Sequence, residues 1–238
     1  MTAYAAVWAV VLTVSAGCKS NHGGRIAGSV ALASPPVTTG LAAPSIPTAS
    51  GLPSPVERAE ALAEDVQTDV DQNAWPAAEA KLHELSGMGE KLASVGVART
   101  KRSAYGDGVV SLGAAITHRS RADALTAGNR LSRVVTDMMA DYPTKVPAEI
   151  AYMDVAGRDV LYAAQQGRWG GAADPVGEVG RRYATVQADV RARNPALDQR
   201  VTSEIARLQR AVVSRARDRT TSLAQALLED VDRIEQAF

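Results

Sequence analysis

A tryptophan-centred segment that occurs twice constrains the fold of this chain more than any other feature. Trp75 lies ten residues after Asp65, and Trp169 lies ten residues after Asp159. The same interval of 94 residues aligns further apolar positions, which are Leu82, Leu85 and Leu92 with Val176, Val179 and Val186. Self-similarity at a fixed interval is the signature of a repeated structural unit. The tryptophans therefore predict two similar copies of one unit.

The apolar pattern indicates that each copy is helical. Throughout 56–238, apolar residues recur at steps of three and four, as in Leu62, Val66 and Val70, which is the spacing of amphipathic helices with one buried face. Only 4% of the residues are aromatic, so aliphatic side chains must build the core. We predict an all-α fold of eight amphipathic helices, arranged as four tandem helical hairpins.

The expected turns divide the helical region regularly. Breaks near positions 74, 120, 168 and 218 recur every 46 to 50 residues. Ser120 is expected to cap a helix with Asp123 three residues later, Gly167 to end one and Asp218 to cap another. Pairs of hairpins then form a first copy over 56–142 and a second over 143–238. Their packing is either a helical-repeat superhelix or two paired four-helix bundles.

The N-terminal part has the features of an exported, anchored protein. Residues 1–17 are apolar but too short for a permanent membrane span, and they have the length of a signal peptide. They end at Cys18, the only cysteine, after small residues that resemble the bacterial lipobox. Six of the eleven prolines follow in residues 19–55, which suits an extended tether. We predict a lipidated Cys18 with its tether over 18–55, held at a membrane and facing the periplasm or the outside.

The sequence offers little for catalysis or metal binding. No Gly-rich phosphate loop, zinc-protease motif or serine-hydrolase elbow occurs. His83 and His118 are weak candidate metal ligands, and the carboxylates of Asp65 and Asp69 are better explained as a solvated acidic face of the first predicted helix. Met138, Met139 and Met153 are softer candidate ligands for copper. Met138 and Met153 fall on apolar stripes and are better explained as core residues. We predict no enzyme activity, no cofactor and no metal site.

One polar stretch on a predicted helix is a candidate for binding. It contains Tyr152, Asp154, Arg158 and Asp159, with Gly157 on the inner face. Asp154 and Arg158 are four residues apart and can pair along the helix. Gly157 predicts close approach of a neighbouring helix. We take this stretch as a possible binding surface.

The layout of lipobox, Pro-rich tether and duplicated Trp-bearing hairpins resembles small helical envelope lipoproteins of unassigned function. It is also distantly similar in architecture to the imelysin-type periplasmic proteins, which consist of two similar helical bundles and often serve iron uptake. That family's Gly-x-His-x-x-Glu motif is absent, since neither His83-Glu84 nor Thr117-His118-Arg119 reproduces it. The resemblance therefore implies an architecture and carries no ligand residue over to this chain.

Charge and layout together give the functional expectation. Basic and acidic residues both number 26, so no positive excess points to nucleic acid. We expect a lipid-anchored, non-enzymatic helical-repeat protein of the cell envelope, acting as a binding or scaffold module for a protein or peptide partner. The alternative is a metal- or small-ligand-binding component of an envelope uptake system.

Overall fold

The computed structural model describes residues 51–238, and this part of the chain confirms the all-α class, with no strand among its residues. The predictions of a signal peptide, of lipidation at Cys18 and of a tether up to residue 50 lie outside the described residues. The α-helices are α1 Ser54–Asp71, α2 Trp75–Ser86, α3 Gly89–Ser94, α4 Arg99–Thr117, α5 Arg121–Met139, α6 Ala148–Gln165, α7 Ala173–Arg193, α8 Pro195–Val213 and α9 Arg217–Glu235.

Eight of these helices are long, and the short α3 divides one predicted stripe. The sequence predicts a continuous apolar face from Leu82 to Val95, whereas the structure interrupts the helix at Gly87, whose N–H donates to carbonyls of the preceding turn. Leu85 and Leu92 on either side of the break remain fully buried. The break therefore redirects the backbone without removing the apolar face from the core.

The eight long helices form two rings of four. In the first ring α1 contacts α2, α2 contacts α4, α4 contacts α5, and α5 returns to α1. In the second ring α6, α7, α8 and α9 contact one another in the same cyclic order. Short connections make consecutive helices antiparallel, so each ring is an up-and-down bundle of four helices. The two bundles meet mainly through α5 and α6.

Each bundle encloses its own apolar core. The large side chains that are essentially fully buried are Leu62, Leu85, Leu92, Leu112, Ile116, Leu131 and Met138 in the first and Ile150, Met153, Leu197, Leu208 and Leu227 in the second. Leu52, which the sequence places in the tether, is also buried, at 7% exposure. Ordered packing therefore begins before α1.

Four connections between helices share one geometry. A residue with positive φ follows the helix in each, namely Asn73, Arg119, Gly167 and Arg215, at intervals of 46 to 48 residues. The N–H of the next residue donates to the carbonyl five positions back, as from Ala74 to Asp69 at 2.7 Å. This is the Schellman arrangement, which satisfies carbonyls at a helix end. All four turns lie within three residues of the predicted positions.

Two predicted helix caps differ in the structure. Ser120 does precede α5, but its hydroxyl donates to Asp123 Oδ2 at 2.5 Å and accepts no backbone N–H. Asp218 lies inside the first turn of α9, and the residue before that helix is Ala216. In both cases the preceding Schellman turn sets the direction of the next helix, so the chain starts it without a side-chain cap.

The two repeated tryptophans occupy matching places. Trp75 opens α2 two residues after Asn73, and Trp169 opens a single 3₁₀ turn, Trp169–Gly171, two residues after Gly167. Both rings are half-buried, and Trp75 packs against the first core. Each tryptophan thus follows a Schellman turn directly, although the packing of the ring against a bundle core is seen for Trp75 and not for Trp169.

Candidate functional site

A largely buried guanidinium lies at the junction of the two bundles. Arg158 Nη2 is 2.8 Å from Asp154 Oδ2 on α6 and 3.1 Å from Glu64 Oε1 on α1. Burial opposes the charge of Arg158, but Asp154 and Glu64 outweigh that effect and raise its pKa. The pair with Glu64 therefore links the two bundles by charge.

The other polar residues of the stretch predicted for binding also bond to neighbouring helices. Tyr152 donates its hydroxyl hydrogen to Asp137 Oδ1 on α5 at 2.6 Å. Asp159 accepts from Arg133 Nη2 at 3.1 Å and from Asn129 Nδ2 at 2.8 Å, both on α5. The stretch therefore builds the contact between α5 and α6, with its polar groups engaged by the protein.

A buried amide continues this polar layer between α1 and α5. Gln67 is 5% exposed, and its Nε2 donates to Ser132 Oγ at 2.9 Å and to Ala63 O at 3.1 Å. Tyr162 on α6 donates its hydroxyl hydrogen to Gln67 Oε1 at 3.4 Å. Because buried polar groups are costly unless they are paired, these bonds fix the register of the three helices.

A cavity of about 220 Å³ opens beside these contacts. It carries one carboxylate from α1, Glu60, and one from the last turn of α9, Glu235. The remaining walls come from Leu52, Met139, Thr144, Lys145, Val146, Pro147, Ala148 and Ala151. A second space of about 20 Å³ shares both glutamates and includes Asp154 in its lining, which is room for about one water molecule.

The carboxylates around the cavity hold their protons more firmly than usual. Burial, with the nearby charges of Glu64 and Asp154, raises the pKa of Glu60 to about 7. Partial desolvation where the carboxyl group faces the cavity, together with the surrounding carboxylates, raises the pKa of Glu235 to about 8, although the residue as a whole is exposed. Burial also raises the pKa of Asp154 to about 6, although Arg158 opposes this shift. Near neutral pH the site is therefore only partly ionised.

This arrangement combines a small apolar space with acidic groups at its edge. Apolar walls favour the burial of a hydrocarbon body, while Glu60 and Glu235 can accept hydrogen bonds or face a positive charge. Perturbed pKa values clustered in a cleft are typical of functional sites. The cavity is therefore the best candidate site in the described part of the chain.

The predicted weak metal candidates do not come together. His83 lies in the last turn of α2 and His118 follows the last residue of α4, and both are exposed. Asp65 and Asp69 both face Lys81, whose Nζ lies 3.8 Å and 2.6 Å from their carboxylates. Within residues 51–238 no group of three or more His, Cys, Asp or Glu residues could hold a metal ion.

The methionines are divided between cores and cavity. Met138 and Met153 are fully buried in the first and second core, respectively. Met139 is half-buried and contributes to the cavity wall. The three methionine side chains therefore lie in three different parts of the structure.

Comparison of the chain with protein-family models, curated proteins and solved structures finds no match. The resemblance to imelysin-type proteins therefore stays a prediction. Among the helices of residues 51–238, none has the length and apolar character needed to span a membrane.

Sequence reasoning missed three acidic residues of the site, Glu60, Glu64 and Glu235. The first two precede Asp154 and Arg158 by 94 residues, which is the interval of the tryptophan repeat. Applying that interval to the polar stretch on α6 would have identified its counterparts on α1. Nothing in the sequence marks Glu235, because its part in the site depends on where the end of α9 packs.

Proposed function

We propose that the protein is a lipid-anchored, non-enzymatic binding protein of the cell envelope and that the cavity at the bundle junction holds a small ligand. The cavity is the observation that carries this proposal, because it joins mostly apolar walls to two carboxylates, as small-molecule sites do. Its volume of about 220 Å³ is below that of drug-sized sites, so the ligand is small.

The cavity favours the small-ligand function over a protein or peptide partner. It lies between packed helices and the connection from α5 to α6, a place suited to a molecule rather than to a protein surface. The polar groups of Tyr152, Asp154, Arg158 and Asp159 are occupied by the junction. None of these four residues lines the cavity, so contact with the ligand falls to the cavity residues.

The anchor is tested at Cys18. A multiply acylated cysteine holds a protein at a membrane because each buried methylene contributes about 0.8 kcal/mol. We expect Cys18→Ser to move the protein into the soluble envelope fraction, while the neighbouring substitution Ser20→Ala leaves it in the membrane fraction. Mass spectrometry of the mature protein that found an unmodified Cys18 would contradict the anchor.

The binding function is tested with small probes of matched size. Benzylammonium, benzyl alcohol and benzoate share one ring and differ in charge. We expect saturation-transfer NMR to detect binding of at least one of them to the full-length protein. Ala151→Leu adds carbon atoms inside the cavity wall and should abolish that signal.

The control makes the same substitution away from the site. Ala188 is exposed in the middle of α7, so Ala188→Leu should leave probe binding unchanged. The proposed function would be wrong if no probe bound, or if the signal survived Ala151→Leu.

A further inference from the structure

We infer that the ligand of the junction cavity is a small organic cation with an apolar body, such as a primary amine on a hydrocarbon ring or chain. This inference rests on the proposed function and specifies the class of molecule that the cavity accepts. Two independent observations support it, which are the imbalance of charge around the cavity and the apolar character of its walls.

The carboxylates that line the cavity outnumber the basic side chains that pair with them. The guanidinium whose charge reaches Glu60, that of Arg158, already bonds to Asp154 and Glu64. Another guanidinium at the junction, that of Arg133, bonds to Asp159 and Glu178. Glu60 and Glu235 both line the cavity, yet neither forms an ion pair with a basic side chain among residues 51–238. Two carboxylates are thus brought together in one cavity without a protein cation between them.

Other charged groups around the cavity do not remove this imbalance. Asp232 on α9 adds a further carboxylate to the field at Glu235. Lys145 lines the rim but is exposed and forms no ion pair within the described part of the chain. An ammonium group between Glu60 and Glu235 would relieve the repulsion between their carboxylates, whereas an anion would increase it.

The walls distinguish an organic cation from a metal ion. A metal ion in a protein is surrounded by several oxygen, nitrogen or sulfur ligands, whereas most of this lining is hydrocarbon, including Leu52, Met139, Val146 and Pro147. An apolar cavity of about 150 Å³ can hold benzene. The space of about 220 Å³ therefore accepts one ring with a short ammonium arm.

The test compares the three probes by isothermal titration calorimetry on the full-length protein. The pH is about 8.5, where carboxyl groups with raised pKa values are largely ionised. We expect benzylammonium to bind at least about tenfold more tightly than benzyl alcohol, and benzoate to bind least. Glu60→Gln and Glu235→Gln should each weaken the binding of benzylammonium about tenfold and leave the affinity for benzyl alcohol unchanged. Glutamine keeps the size of the side chain and removes its charge. Glu79→Gln, on the exposed face of α2, is the matched control.

A second measurement requires no variant. A cation beside Glu60 and Glu235 stabilises their ionised forms, so binding near pH 7 should release protons. Calorimetry in two buffers with different ionisation enthalpies measures that release, which benzyl alcohol should not produce.

The outcomes separate the inference from the function on which it rests. Equal affinities for benzylammonium and benzyl alcohol, or a preference for benzoate, would overturn the cationic ligand and leave the small-ligand function standing. If none of the probes bound, or if filling the cavity with Ala151→Leu had no effect, both would be overturned.

Discussion

Glu64 and Arg158 form an ion pair across the bundle junction, with 3.1 Å between Oε1 and Nη2, and they stand 94 residues apart in the chain. The same interval separates Trp75 from Trp169. Glu64 and Arg158 are therefore corresponding positions of the two halves that meet in space. One is acidic and the other basic, so the junction gains an attraction that two identical residues would not provide.

The first prediction concerns the removal of the Arg158 guanidinium, which Asp154 and Glu64 share. Arg158→Met keeps most of the volume but leaves Asp154 without its partner, and that carboxylate is only 15% exposed. We expect a loss of about 2 kcal/mol in the free energy of unfolding at about pH 8, because an unpaired buried charge is costly. Urea denaturation followed by circular dichroism provides the measurement.

An exposed ion pair provides the matched control for Arg158→Met. Arg58 and Glu84 are 2.5 Å apart and each about half exposed. Arg58→Met should therefore cost less than about 1 kcal/mol. Equal losses in the two variants would mean that the junction pair contributes no more than a surface pair.

The second prediction concerns pH. Burial and neighbouring charges raise the pKa of Asp154 to about 6, of Glu60 to about 7 and of Glu235 to about 8. The folded protein therefore binds more protons than the unfolded chain between about pH 5 and about pH 8, and its free energy of unfolding should fall as pH rises through that window. Urea denaturation at several pH values should show this slope, and Glu60→Gln should reduce it.

The acid side of the profile has the opposite sign. The hydrogen bond from Arg191 Nε holds the pKa of the buried Asp198 near 2. Its contribution to stability is present above the ordinary carboxyl pKa of about 4 and is lost as pH falls towards 2. Stability should therefore be highest near about pH 5. A profile that rose steadily from about pH 5 to about pH 8 would contradict the raised pKa values of Asp154, Glu60 and Glu235, and an unchanged stability between about pH 4 and about pH 2 would contradict the lowered pKa of Asp198.

The sequence predicted the helices and their turns better than the site, for a physical reason. Stripes such as Leu62, Val66 and Val70 follow local helix geometry, and all three residues are buried as expected. The cavity instead depends on how α1, α6 and α9 pack against one another, which no local spacing encodes. Glu60 and Glu235 are ordinary helix-surface glutamates in sequence, and only the packing of the bundles brings them to the same cavity.

The third prediction concerns the close approach of α5 to α1. A Cβ atom at Gly128 would lie 2.7 Å from Cγ of Gln67, a side chain held by its bonds to Ser132 and Ala63. The amide cannot move without losing those bonds, so Gly128→Ala should destabilise the protein by about 1–3 kcal/mol. Thermal and urea denaturation measure the change.

Glycine-to-alanine substitutions at two other helical positions provide the comparison for Gly128→Ala. A Cβ at Gly157 would meet only the end of the Leu228 side chain, at 2.9 Å, which can shift. A Cβ at Gly106 would meet nothing within 4 Å, so Gly106→Ala should stabilise the protein by about 1 kcal/mol through helix propensity. We expect Gly157→Ala to fall between the two, and a neutral Gly128→Ala would show that Gln67 does not fix this contact.

The fourth prediction uses the repeated turn geometry. Arg215 has a φ of 53° in the turn between α8 and α9, where Gly167 occupies the corresponding place between α6 and α7 with a φ of 69°. A residue with a Cβ pays about 1–2 kcal/mol for this conformation, while glycine adds about 0.5–1 kcal/mol of entropy to the unfolded chain. The side chain of Arg215 is exposed, and the turn itself is held by backbone bonds, from Arg215 N to Val212 O at 3.0 Å and from Ala216 N to Ala211 O at 3.1 Å. Arg215→Gly should therefore keep the turn and raise the free energy of unfolding by about 0.5–1 kcal/mol.

Arg181→Gly makes the same change at an exposed position inside α7 and should lower the free energy of unfolding by about 1 kcal/mol. Urea denaturation of the two variants must give shifts of opposite sign, and a loss of stability in both would show that Arg215 contributes through its side chain more than its backbone conformation costs.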